Sequence, residues 1–295
     1  MAAPVIRFAS GNAVAVDLAT GTCVGEARHR IASVLSKPVG CIWLLDSTSG
    51  HRLQDDDVVS AEAQLVVTPL DPEAEKTAED LLLRACMSPT MEALADSMEL
   101  SLERERLTSL PESFGQLVAL QKLSICENKL TGLPESFGQL TALQHLHIEY
   151  EGLTTLPESF GKLASLSILD VKQSRLASLP QSFGKLAALE RLSLPFNQLR
   201  ALPESFGELA ALQILQLEGN QLRALPESIC RLTALRYLQL SQNQLTALPD
   251  SFCQLQGLRC LWLQRNQLEA LPEDFGRLAS LVQLLLQDNR LRALP

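Results

Sequence analysis

LPESFGELAALQILQLEGNQLRA, residues 202–224, is the stretch from which the rest of the chain can be read. Its aliphatic side chains fall at Leu202, Leu209, Leu212, Leu215, Leu217 and Leu222, and Leu225 begins the same pattern again. Working outward, copies start at Leu110, Leu133, Leu156, Leu179, Leu202, Leu225, Leu248 and Leu271, each 23 residues after the last, and a ninth begins at Leu294. Eight full copies cover 184 of the 295 residues, from Leu110 to Ala293, without insertion or deletion. An unbroken period of this length marks a solenoid, in which each unit buries its apolar face against the next.

The chemistry inside one copy predicts its shape. Alternation at Leu215 and Leu217 puts two aliphatics on one face of a short strand and the residue between them on the other. Stacking one such strand per copy makes a continuous parallel sheet. Pro at the second position fixes φ and suits the first residue of a turn or short helix. A Phe three residues later recurs as Phe114, Phe137, Phe160, Phe183, Phe206, Phe252 and Phe275, with Ile229 in the remaining copy, and is predicted to form a buried ladder. Asn follows the strand at Asn128, Asn197, Asn220, Asn243, Asn266 and Asn289, where its amide can satisfy enclosed backbone groups. Glu151 and Ser174 break that series, which predicts a turn that is looser or differently bonded, as a tolerated defect or as a distinct contact patch.

The pattern L-x-x-L-x-L-x-x-N-x-L resembles the leucine-rich repeat. The segment LPESFGELAAL, residues 202–212, is similar to the 23-residue class of the intracellular Ras-group-related proteins of plants and of the related animal scaffold that binds Ras. The resemblance covers the array alone. It implies an α/β solenoid with its parallel sheet on the concave face, and a non-enzymatic scaffold in intracellular signalling.

The flanks differ. Met91 to Ser109 reads as a degenerate first repeat, with Leu94, Leu100, Leu102 and Leu107 in register. Residues 71–109 hold four basic and ten acidic side chains, most of the excess behind the net charge of −9. The stretch DPEAEKTAEDLLLRAC (71–86) has the composition of a short helix and is expected to cap the first apolar layer; an acidic interaction tail is the rival reading. Within residues 1–70, VIRFASG (5–11), AVAVDLA (13–19), CIWLLDS (41–47) and QLVVTP (64–69) read as strands and 24–38 as a helix. The order β-β-α-β-β, with GHRLQDDD at 50–57, resembles a small α+β ubiquitin-like β-grasp domain, which implies a docking module. The expected division is thus 1–70, 71–109 and 110–295. The array stops at Leu294-Pro295 inside a new copy, which is expected of a fragment or of an end that a partner covers.

An acidic chain without a basic stripe is not expected to bind nucleic acid. No apolar run approaches a membrane span, and no secretory signal opens the sequence, so seven cysteines read as reduced thiols in the cytoplasm. Cys230 and Cys253 replace the recurrent Gly in adjacent copies and are read as small-residue substitutions rather than a disulfide. No nucleophile elbow or phosphate-binding loop occurs. His145 and His147 share one side of a strand, with Cys126 and Glu149 as neighbours, but no further ligands follow at recognisable spacing, so contact surface rather than metal is expected. No cofactor is implied.

The candidate site comes by subtraction. Of 13 aromatics, seven belong to the ladder and Phe8 and Trp43 to the N-terminal segment. Tyr237 and Trp262 then fall on outward strand positions, and Tyr150 and Phe196 on the rim just after strands. With Lys122, His145, His147, Arg191, Arg259 and Arg265 they form the expected protein-binding residues, since aromatics beside arginines anchor interfaces. The resemblances suggest a small GTPase or a ubiquitin-system component as partner. Two other functions fit the same residues: an adaptor whose ubiquitin-like domain docks to a ligase or the proteasome while the repeats select a substrate, and the regulatory portion of a larger enzyme.

Overall fold

The computed structural model of the chain describes residues 5–8, 13–15, 42–46, 65–69, 72–88 and 90–294. The chain divides into two units, Met1–Thr77 and Ala78–Pro295. In the first, strands β1 (Val5–Phe8), β2 (Ala13–Ala15), β3 (Ile42–Asp46) and β4 (Leu65–Pro69) form a sheet of order β2-β1-β4-β3. β1 pairs antiparallel with β2 and parallel with β4, and β3 pairs antiparallel with β4. The helix expected at 24–38 and the segment 50–57 lie outside the described residues.

The second unit is built from the repeat. Nine parallel strands run in sequence order from β5 (Glu99–Glu103) to β13 (Gln283–Leu285). β5 belongs to the degenerate copy, and its Leu102 is fully buried. Every register is offset by one period, as in Lys122↔His145 and Tyr237↔Cys260. A uniform repeat length removes any alternative pairing, because a slip of one residue would turn every Leu out of the core.

Each full copy has a five-residue 3₁₀ turn, which carries the Phe in all but the Ile229 copy. Phe114, Phe137, Phe160, Phe183 and Phe206 are fully buried and stacked 6.0–6.2 Å apart, with ring planes within 3° of parallel. Pro lies one position earlier than the sequence suggests. Pro157, for example, has φ −67° and ψ 154°, an extended N-cap rather than the first helical residue. The Gly after each Phe is a matter of clearance. A Cβ on Gly161 would lie 2.3 Å from the carbonyl oxygen of Ser182 in the next copy. The same holds, at 2.1–2.5 Å, for Gly115, Gly138, Gly184 and Gly207. Cys230 and Cys253 put a Cβ at this position, so they are not neutral small-residue replacements: adjacent turns must stand further apart there. A depression of about 530 Å³, lined in part by Glu204, Ser228, Cys230 and Gln254, lies at this point.

The Asn series holds the turns after the strands. Asn197 donates through Nδ2 to the carbonyls of Val171 (2.8 Å) and Leu194 (3.2 Å) and accepts from the Leu176 N–H (3.2 Å). Glu151 replaces this with a different bond set. Its two carboxylate oxygens accept the backbone N–H groups of Asn128 (2.7 Å) and Leu130 (2.9 Å). Burial pushes the Glu151 carboxyl above its ordinary value, although these N–H groups pull it back. Ser174 is too short to reach the preceding copy, and its hydroxyl donates locally to the Lys172 carbonyl.

The helix Pro72–Ala85 precedes the array, and its Leu82 is fully buried in the same apolar cluster as Leu94 and Leu102. Glu79 accepts a 3.1 Å hydrogen bond from Ser113, in the first full copy.

Candidate protein-binding face

Each strand sends alternate side chains into the core and onto the open face of the sheet. The registers align the open-face residues in columns. One holds Lys122, His145, Ile168, Arg191, Ile214, Tyr237, Cys260 and Gln283. Two positions on, its neighbour runs from Ser124, His147 and Asp170 to Gln239, Trp262 and Leu285. A further column lies where the chain leaves the strand. Glu127, Tyr150, Gln173, Phe196, Gln242, Arg265 and Asp288 all have φ between 47° and 57°, a region few non-glycine residues occupy. The next copy secures this turn, as when the Phe196 N–H donates to the Glu218 carbonyl at 2.8 Å. In the same column, Gly219 (φ 67°) lies under the Phe196 ring, 2.5 Å from where a Cβ would be.

Nine of the ten expected residues fall into three groups. Tyr237 and Trp262 meet on adjacent strands, ring centroids 5.0 Å apart at 69°, an edge-to-face contact worth about 0.5–1.5 kcal/mol beyond its buried area. Both remain partly exposed on the sheet face. Burial raises the Tyr237 phenol pKa above its ordinary value. Arg236 and Arg259 are exposed just before these strands, and Arg265 is exposed just after. Arg236 donates to the Gly257 carbonyl at 3.0 Å, and the absent side chain of Gly257 leaves the space its guanidinium occupies.

Lys122, His145 and His147 lie at the other end of the face. They line a depression of about 510 Å³ together with Ile168 and Asp170. The charges here are matched within the protein. Lys122 pairs with Glu99 and Lys172 with Asp170, each at 2.7 Å. His147 sits between two carboxylates, with Nδ1 3.4 Å from Asp170 and Nε2 3.3 Å from Glu149. The bond to Asp170 raises the His147 pKa above its ordinary value, against the opposing effect of burial. Burial alone would raise the Asp170 carboxyl too, but His147 and Lys172 hold it below its usual value. Asp170 and Lys172 were not among the expected site residues, whereas Glu149, expected beside the histidines, is the Nε2 partner of His147. The signal was present, since Asp170 follows His147 in the column of open-face positions. Among the described residues no group of three or more His, Cys, Asp and Glu is placed to hold a metal ion.

The third group is the rim. Tyr150 and Phe196 are 52% and 46% exposed, two copies apart and so separated by about 10 Å along the stack. Arg191 stands alone, two strands from Tyr237.

A family model described as leucine rich repeat matches residues 98–153, 200–245 and 233–291, together 148 of the 295 residues. No curated protein sequence matches the chain. Among solved structures, a leucine-rich repeat protein of Leptospira interrogans is 32% identical, with a TM-score of 0.61 over 70% of this chain and 58% of that one. A plant peptide hormone receptor, RGFR1 in complex with RGF2, is 29% identical, with a TM-score of 0.51 over 61% and 34%. The Drosophila Toll–Spatzle complex contains a chain 28% identical, with a TM-score of 0.61 over 68% and 28%. The chain therefore spans less than two thirds of each of these proteins. Among the described residues no helix is long and apolar enough to cross a membrane.

Proposed function

Because the chain belongs to the leucine-rich repeat family, we propose that it is a non-enzymatic scaffold of intracellular signalling that holds a protein partner against the open, concave face of its sheet. Leucine-rich repeat proteins generally mediate protein–protein interaction. The Toll and RGFR1 chains that resemble this one were each solved with a partner, Spatzle and RGF2, which supports reading the array as a frame for a ligand. The observation that carries the proposal is the Tyr237–Trp262 pair, two large aromatics packed together on the partner-facing side of a rigid sheet. Such a frame loses little ordering entropy on docking. The five cysteines among the described residues are free, which supports a reducing, cytoplasmic setting.

One observation favours a second reading. The sheet order β2-β1-β4-β3, with its first strand parallel to its last, supports a ubiquitin-like docking domain and hence an adaptor of the ubiquitin system. A single experiment separates the two. The tagged full chain and its Tyr237→Ala/Trp262→Ala variant are used for affinity purification with mass spectrometry. The scaffold reading expects one set of partners to disappear in the variant while the thermal melt remains cooperative. Proteasome or ligase components that survive the variant favour the adaptor. Identical recoveries from both proteins would remove the aromatic pair from consideration.

A further inference from the structure

Charge is distributed unevenly over the sheet face. In the four copies at its N-terminal end, residues 98–104, 121–127, 144–150 and 167–173 carry five carboxylates and three Lys or Arg side chains. Those three cations are all paired: Arg104 with Glu127, Lys122 with Glu99 and Lys172 with Asp170, each at 2.7 Å. In the two copies that bear Tyr237 and Trp262 the pattern reverses. Residues 236–242 and 259–265 hold three arginines and no carboxylate, in a chain whose net charge is −9. Arg236 is bonded only to a neutral carbonyl, Arg259 makes no ion pair among the described residues, and Arg265 reaches Asp288 at 3.6 Å with both side chains exposed. Glu218, on the preceding copy, accepts hydrogen bonds from the Gln239 and Gln242 amides and makes no ion pair with these arginines among the described residues.

The positions matter as much as the sign. Arg236 and Arg259 precede the strands and Arg265 follows one, so the aromatic pair is bracketed by cations at both ends. Six residue steps separate Arg259 from Arg265, at most about 20 Å along the strand. An extended peptide of similar length covers that span.

Resting on the function proposed above, we infer that the aromatic corner takes an extended acidic segment of the partner protein. One apolar side chain of the segment sits against Tyr237 and Trp262. Carboxylates before it and after it reach Arg236 and Arg259 on one side and Arg265 on the other. Bidentate arginine–carboxylate bonds set the direction of the segment, and the arginines, of which only Arg265 has an ion-pair partner among the described residues, attract it at long range.

The test is selection of a random peptide library, displayed on phage, against the full chain, followed by fluorescence anisotropy with the enriched peptides. The expected consensus is an apolar residue with Asp or Glu on both sides. Its binding should weaken with added salt, fall by about tenfold or more in Arg259→Glu, and stay unchanged in Lys185→Glu, in the 3₁₀ turn of an earlier copy. Replacing the matching acid of the peptide by Lys should restore binding to Arg259→Glu. A neutral or basic consensus that is lost in Tyr237→Ala/Trp262→Ala would overturn the acidic inference and leave the concave-face reading standing. Peptides indifferent to that double variant would overturn both. A selection that enriches nothing would also overturn the inference.

Discussion

At Gly161 the constraint on the sequence is a distance. Its turn approaches the next so closely that a methyl group would lie 2.3 Å from the Ser182 carbonyl oxygen, whereas Gly132, just before a copy begins, has nothing within 4 Å. Gly161→Ala should therefore destabilise the protein by about 1–3 kcal/mol, the usual effect of overpacking, while Gly132→Ala should be close to neutral. Urea denaturation of both variants checks this, and equal effects would contradict it. The repeat marks Gly161 as recurrent but does not say what it must clear. The aliphatic, Phe and Asn positions were legible because each recurs every 23 residues and each has one job. Clearances, and the way Glu151 uses two oxygens where Asn uses an amide, depend on the neighbouring copy and are not written in any single one.

At the level of strands, the network across β7 (His145–Glu149) and β8 (Ile168–Lys172) is held by charge. His147 gains a carboxylate partner on folding, so its pKa rises above the ordinary 6.5. Its contribution to stability is then complete below that value and is lost as pH rises through the raised one. The stability difference between the protein and His147→Ala should accordingly shrink with rising pH across this window. In an NMR titration Asp170→Asn should lower the pKa of His147, and a His147 midpoint unmoved by that substitution would rule Asp170 out as the cause. The columns of the face were readable from the sequence, since strand register follows from repeat length. Which of their charges are already matched was not, because Lys122, Lys172 and Arg259 look alike until their partners are placed. That distinction turns a list of ten residues into a matched end and an unmatched end.

Across the whole array, stability is a sum of similar interfaces between neighbours, and the weakest of them sets where the stack opens. The joint between the Ile229 and Phe252 turns lacks both reinforcements found elsewhere. Ile229 interrupts the ring stack between Phe206 and Phe252, and Cys230 and Cys253 keep adjacent turns from closing. The Cys230 thiol is buried, which pushes its pKa to about 12. Amide exchange at Glu227–Arg231 and Asp250–Gln254 should therefore outpace exchange at Glu158–Lys162, and Cys230→Gly/Cys253→Gly should slow it. Equal rates in the three turns would contradict this.

The same wedge bears on the front of the molecule. Strands in front stay laced in register while the turns behind are held apart, so the rungs must splay like a hand of cards. Their pivot lies beneath Tyr237 and Trp262. A guest gripped by those two rings thus sits over the bend, and squeezing the rings together or levering them apart would flex the spine of the coil at that point.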